Sequence, residues 1–151
     1  MRLGMLCVAL VLLAGCGEAQ DGPPKLPPEI SQGQPQDLPR VALQVGTVKV
    51  QAQVADDDDE RAKGLMFVRA MPEDEGMLFV WPEKAERSFW MRNTYIPLDL
   101  LFIDGRRIVR IVQGVPLDES ALPSGQPVDK VLEMNAGWAA RRGVKVGDLV
   151  F

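Results

Sequence analysis

Val48, Val50, Ala52 and Val54 alternate with Lys49, Gln51 and Gln53. A period of two puts the first set on one buried face of a strand and leaves the second in water. Val41 to Val45 reads the same way, and Gly46 separates the two runs, so strands are expected over 41–45 and 47–54. Further short β-like segments run over Gly76 to Trp81, Ser88 to Arg92, Leu98 to Ile103, Arg107 to Val112, Val128 to Met134 and Asp148 to Phe151. Asp104-Gly105-Arg106 lies between two of them, and Asp-Gly supplies the positive φ angles of a tight hairpin.

Two segments carry helical spacing instead. Ala62, Leu65, Met66 and Arg69 predict a helix over Asp58 to Met71, with Pro72 just beyond it. Asp57 and Glu60 resemble a capping box, and the acid run Asp56 to Glu60 suits the positive end of a helix dipole. The second helix is expected over Ala136 to Arg142, with Arg141 and Arg142 at its negative end and Gly143 as its stop. Many short strands with one or two short helices predict a mainly β domain, a compact antiparallel sandwich or barrel. A parallel βαβ sheet would need helices between most strands.

The amino terminus follows a different logic. Arg2 precedes an apolar stretch from Leu3 to Leu13, and Leu13-Ala14-Gly15-Cys16 forms a lipobox. The run is shorter than the ~20 residues a membrane span needs. Residues 1–15 therefore read as a lipoprotein signal peptide whose cleavage leaves Cys16 as the first residue. Cys16 is the expected lipidation site, carrying diacylglyceryl on its sulfur and an acyl chain such as palmitate on its freed amine. Two or three such chains anchor stably, since each buried methylene contributes ~0.8 kcal/mol. Gly17 replaces the Asp that typically retains lipoproteins at an inner membrane. The expected address is the cell envelope, at the outer membrane and facing the periplasm.

Residues 16–40 carry Pro23, Pro24, Pro27, Pro28, Pro35 and Pro39 among Gln, Gly, Asp and Glu. Few apolar residues are available to bury there, so this is read as a linker. It would span roughly 30 Å as a coil and roughly 75 Å in polyproline geometry. The single folded domain is expected over 41–151.

Composition narrows the chemistry. The chain has 151 residues, no histidine and two cysteines. Cys7 leaves with the signal and Cys16 is the lipid site, so the domain offers no disulfide, thiolate nucleophile or thiolate-zinc site. Catalysis of the Ser-His-Asp or Cys-His type is excluded for this chain alone, and so are histidine metal sites. Neither a metal nor a cofactor is expected. Net charge is −4, which lacks the basic footprint of a nucleic-acid partner. The acid run at Asp56 to Glu60 has no EF-hand glycine or later glutamate, and reads as a solvated helix start rather than a calcium loop.

An ordered set of motifs carries a resemblance. It comprises Glu60-Arg61, Gly64-Leu65-Met66, Gly76-Met77-Leu78-Phe79, Phe89-Trp90-Met91-Arg92-Asn93-Thr94, Ile96-Pro97-Leu98-Asp99, Val131-Leu132-Glu133 with Ala136-Gly137, and Gly147-Asp148. The set resembles the domain of unknown function 192 family over about Val45 to Phe151. The resemblance implies a compact, mainly β fold of jelly-roll type, often exported, with no settled activity. Members often carry a basic residue where Val68 stands; here the nearest is Arg69.

Phe89 to Asp99 is the densest polar and aromatic block. Asn93-Thr94 is expected to form a turn there, stiffened by Pro97. A binding site would group Arg61, Trp90, Asn93, Thr94, Asp99 and Glu133 around one pocket. The plainer reading has Asp99 and Glu133 accepting the hydrogen bonds that buried acids require. As catalytic candidates, Asp99 and Glu133 could act as a glycosidase pair, ~5.5 Å apart for retention or ~6.5–9.5 Å for inversion. Three functions follow in order of preference: an envelope-facing module that binds a small molecule, a glycan or an envelope protein; a carboxylate-dependent hydrolase; and a structural scaffold.

Overall fold

A computed structural model describes residues 33–151. The expected signal peptide, the expected lipidation site Cys16 and the expected linker as far as Gln32 lie outside the described residues. Six strands and two short helices follow in the order β1 (Arg40–Val45), β2 (Val48–Ala55), α1 (Asp58–Lys63), β3 (Glu75–Phe89), β4 (Leu98–Asp104), β5 (Arg107–Gly114), β6 (Leu122–Asn135) and α2 (Trp138–Arg142). The domain is mainly β, as its alternating pattern predicts. The strands form one open sheet in the order β1-β2-β3-β6-β4-β5. It is mixed: β2 and β3 pair in parallel, because α1 and its following loop carry the chain back between them, and every other pair is antiparallel.

The sheet buries both faces. Its inner face carries Val50, Ala52, Leu78, Leu101, Ile103, Leu132 and Met134, packed on Trp138 of α2. Val45 of β1 and Ile108 of β5, from the two edge strands, join this cluster, so the sheet curls around it. The outer face carries Met77, Phe79, Leu98, Leu100, Phe102 and Val131, covered by Leu65, Met91 and Ile96. Residues 98 to 103 of β4 are consequently buried without alternation, the pattern of a strand sealed on both sides.

The carboxy-terminal segment ties the two edges together at one end. Phe151 exchanges both backbone hydrogen bonds with Gln44 of β1, at 2.9 and 3.0 Å, while the Val150 amide donates to the Arg106 carbonyl at 2.8 Å. Asp148 to Phe151 therefore contributes isolated bridges to Val45 and Arg107. Covering an edge removes a template for aggregation.

Three expectations are corrected. The first helix ends at Lys63 instead of Met71, because Gly64 takes φ 50° and the chain enters a turn. Asp57 does cap it, accepting from the Glu60 amide at 2.8 Å. The strands expected at 76–81 and 88–92 are one strand, β3, bent by register shifts around Pro82 and Arg87, and residues 90–92 leave the sheet. β6 begins at Leu122 rather than Val128. Its proline- and glycine-rich start reads as a loop, yet Leu122 and Pro123 pair with Phe89 and Ser88. The two-residue hairpin at Gly105-Arg106 forms as expected, with Gly105 at φ 61°.

Candidate functional site

Three turns meet at one place on the molecule. In each, the fourth residue's amide donates to the first residue's carbonyl: Val68 to Leu65 at 3.3 Å, Thr94 to Met91 at 3.0 Å and Asp118 to Val115 at 3.2 Å. In each, the third residue is left-handed and is not glycine: Phe67 at φ 68°, Asn93 at φ 55° and Leu117 at φ 64°. These are the three non-glycine residues with positive φ among the described residues. Backbone bonds join the turns. The Phe67 amide donates to the Asn93 carbonyl at 2.8 Å, the Leu117 amide to Thr94 at 3.1 Å, and the Met91 amide to Asp118 at 2.8 Å.

Asparagine tolerates this conformation, but phenylalanine and leucine each lose roughly 1–2 kcal/mol in it. Such strain persists where surrounding structure imposes it, and it gathers at binding sites and clamps. Phe67 recovers its cost by burial with Met66 against Trp90 and Ala62. Leu117 does not: it is 57% exposed, and Val115 beside it is 63% exposed.

The side chains around these turns are aromatic and cationic. The Arg69 guanidinium lies 4.9 Å from the Tyr95 ring centre, and Arg92 lies 5.7 Å from that of Trp90. Phe67 meets Tyr95 edge to face at 6.2 Å. Arg92 also approaches Glu119 at 3.8 Å. The Ser120 amide donates to Asp118 and holds its carboxyl below the usual range. Flat rings with stacked guanidinium groups suit contact with a mixed polar and apolar partner.

Of the six side chains expected to share a pocket, the structure brings Trp90, Asn93 and Thr94 together here. Arg61 belongs to another contact. Its guanidinium donates to the Val80 carbonyl at 2.8 Å and to Asp58 at 2.6 Å, and lies 5.5 Å from the Trp81 ring centre. It fastens α1 to β3.

Asp99 and Glu133 are separated from the turns and from one another. Asp99 is 2% exposed and sits on the inner face, opposite Met134. Its oxygens accept from the Gly137 amide at 2.9 Å, the Ala139 amide at 3.0 Å and the Gln113 side chain at 3.2 Å. The first amides of α2, which no local side chain caps, are thereby satisfied from β4. Glu133 is 4% exposed on the outer face, in one row with Met77 and Leu100. No hydrogen bond or ion pair of a described residue reaches its carboxyl, and burial pushes its pKa up to about 8. The expected glycosidase pair is corrected on this ground. Two carboxyls on opposite faces of a sheet cannot flank one sugar, whatever their separation.

Sequence reasoning missed Phe67, Tyr95, Arg69 and Leu117. Pro116 at the second position of its turn was a usable signal. Nothing marked Phe67 or Leu117, since the residue that announces a left-handed turn is glycine. A pocket of about 390 Å³ opens elsewhere, beside the β1–β2 hairpin, between Leu43, Lys49, Asp74 and Phe151, and none of the expected site residues lines it. Among the described residues, no three His, Cys, Asp or Glu side chains are grouped to hold a metal.

Fold and site together define a small single-sheet β domain that presents a surface made of turns. The chain belongs to the DUF192 family (Uncharacterized ACR, COG1430), whose model matches residues 41–151. It is similar to a protein of Sinorhizobium meliloti 1021 named as a proposed transcription regulator, with 36% identity and a TM-score of 0.75 over 77% of this chain and 95% of that one. It is also similar to a protein of unknown function from Novosphingobium aromaticivorans DSM 12444, with 37% identity and a TM-score of 0.72 over 82% of this chain and 96% of that one. No curated protein matches it.

Proposed function

We propose that this chain is a ligand-binding or interaction module of the cell envelope, held at the outer membrane by acyl chains on Cys16 and facing the periplasm. The carrying observation is the junction of three turns, two of them strained, which groups Trp90, Asn93, Tyr95 and Arg92. Its partner is a small molecule, a glycan or an envelope protein. The hydrolase reading loses its paired acids, because Asp99 and Glu133 face opposite ways. The regulator name carried by the Sinorhizobium protein does not transfer readily to this chain: 17 Lys and Arg stand against 21 Asp and Glu, a poor electrostatic match to a phosphate backbone.

Two experiments test the reading. Intact mass of the mature protein should show an acylated Cys16 at its start, and globomycin should block that processing. In a thermal-shift screen of envelope glycans and metabolites, a true ligand should raise Tm for the parent and for Arg61→Lys. It should fail to do so for Trp90→Ala, while that variant keeps its fold. If Trp90→Ala, Asn93→Ala and Arg92→Ala lower Tm without changing the response to any ligand, the surface is a scaffold and the binding reading is lost.

A further inference from the structure

We infer that the turn Val115–Asp118 docks the domain on the lipid interface, with Val115 and Leu117 entering the acyl boundary. The inference rests on the anchored-module reading and names a partner for that same surface: a bilayer, met by its headgroup and acyl layers.

Four observations carry it. Val115 and Leu117 are the two most exposed large apolar side chains among the described residues, at 63% and 57%. Leucine is held outward by a backbone conformation that glycine would adopt at lower cost, at φ 64°. The neighbours are Trp90 and Tyr95, each with an arginine stacked on it. Amphipathic rings with adjacent cations are the usual furniture of a membrane–water boundary. Asp118 and Glu119 flank the tip, and Arg92 beside Glu119 offsets part of their charge.

The fourth observation is where the tether enters. Gln36, three residues after the described chain begins, donates to the Glu60 and Gly64 carbonyls at 2.9 Å each. Gly64 opens the turn that holds Phe67, Phe67 bonds to Asn93, and Thr94 bonds to Leu117. The first described residues thus connect, through these bonds, to the turn that bears the exposed tip. Residues 17–32 reach at most about 55 Å even when fully extended, so a lipid on Cys16 keeps the domain within that distance of the bilayer.

The test uses the full chain, purified from a host that processes lipoproteins and reconstituted in vesicles of phosphatidylethanolamine and phosphatidylglycerol. A spin label is placed at Val115→Cys or Leu117→Cys. The control is Val146→Cys, an apolar position exposed to 55% beside the other end of β5, where the Gly147 amide meets Ile108. Expected is a several-fold lower accessibility of the 115 and 117 labels to a water-soluble nickel chelate, with higher accessibility to oxygen. The 146 label should stay in water. Adding Leu117→Asp to the 115-labelled chain should return that label to water.

A protein that floats with the vesicles while its 115 and 117 labels remain as water-accessible as 146 overturns the docking and leaves the anchor standing. A protein that does not float, and whose mass shows no acyl group, overturns both. Labels that are wet on vesicles but shielded in intact cells assign the turn to a protein partner, and the bilayer inference is then wrong.

Discussion

Asp99 and Glu133 lie on neighbouring strands one residue out of register, and their side chains leave the sheet in opposite directions. Asp99 is opposite Met134 and Glu133 is opposite Leu100. The two acids that looked like one chemical pair therefore have unrelated tasks. One completes a helix that its own residues leave uncapped. The other is a carboxyl sealed in an apolar row.

Asp99→Asn tests the first task. Asparagine has one acceptor oxygen and places its NH2 against a backbone amide, so at least one charge-assisted bond to α2 is lost. Such bonds contribute roughly 1.5–3 kcal/mol each when buried. Stability should fall by about 3 kcal/mol, and Tm by more than about 10 °C. An unchanged Tm would show that α2 does not depend on β4 for its cap.

Glu133 makes stability depend on pH. Below its ordinary value of 4.5 the carboxyl is protonated in both the folded and the unfolded chain. Above that value the unfolded chain ionises while the folded one stays neutral up to about 8. The folded state then binds the extra proton, so stability falls as pH rises across this window, by about 1.4 kcal/mol per pH unit. Glu133→Gln removes the ionising group at nearly constant shape. It should be more stable than the parent at pH 8, by several kcal/mol, and should match it near pH 4. Urea midpoints at the two pH values measure this. A variant weaker than the parent at pH 8 would mean that the ionised carboxylate has a partner in the folded protein.

Leu117→Gly should raise Tm slightly, because the left-handed strain of roughly 1–2 kcal/mol disappears while the extra freedom of glycine in the unfolded chain takes back part of it. Phe67→Gly should do the reverse and destabilise, since its ring packs with Met66 and Trp90. If both raise Tm, the strain at Phe67 exceeds the value of its burial.

Gly76→Ala should be severe for so small a change. A methyl there would press on the Glu133 carbonyl and the Met134 sulfur, both inside the sheet. Overpacking of this kind costs typically 1–3 kcal/mol. Loss of soluble expression, or a Tm lower by several degrees, is expected. Gly105→Ala, with open space around its Cβ, is the contrast. It pays only for φ 61°.

Alternation of small apolar and polar residues was sufficient to place β1 and β2 within a residue or two, and two β-like runs flanking Asp104-Gly105-Arg106 were sufficient to place β4 and β5 as closely. Each segment is short and has a clear stop, so local signals decide it. The ordered motifs from Glu60 to Asp148 were sufficient to suggest the family, and the block from Phe89 to Asp99 to place a turn at Asn93. Local patterns carry no information about which strand lies beside which. The 15-residue β3 and the early start of β6 became strands because each supplied the other's hydrogen bonds. Prolines and glycines that mark loops locally were overruled by that pairing.

Pairing register also decided which face each acid occupies. A side chain's face is set by the neighbour it opposes, and that neighbour comes from tens of residues away. The junction of three turns is tertiary in the same sense. Phe67, Asn93 and Leu117 are distant in sequence, and the left-handed backbone of two of them is imposed by contacts that form only when the sheet has brought their loops together. Residue order thus determined local periodicity and the motifs of the family; the folded sheet alone determined which side chains share a surface.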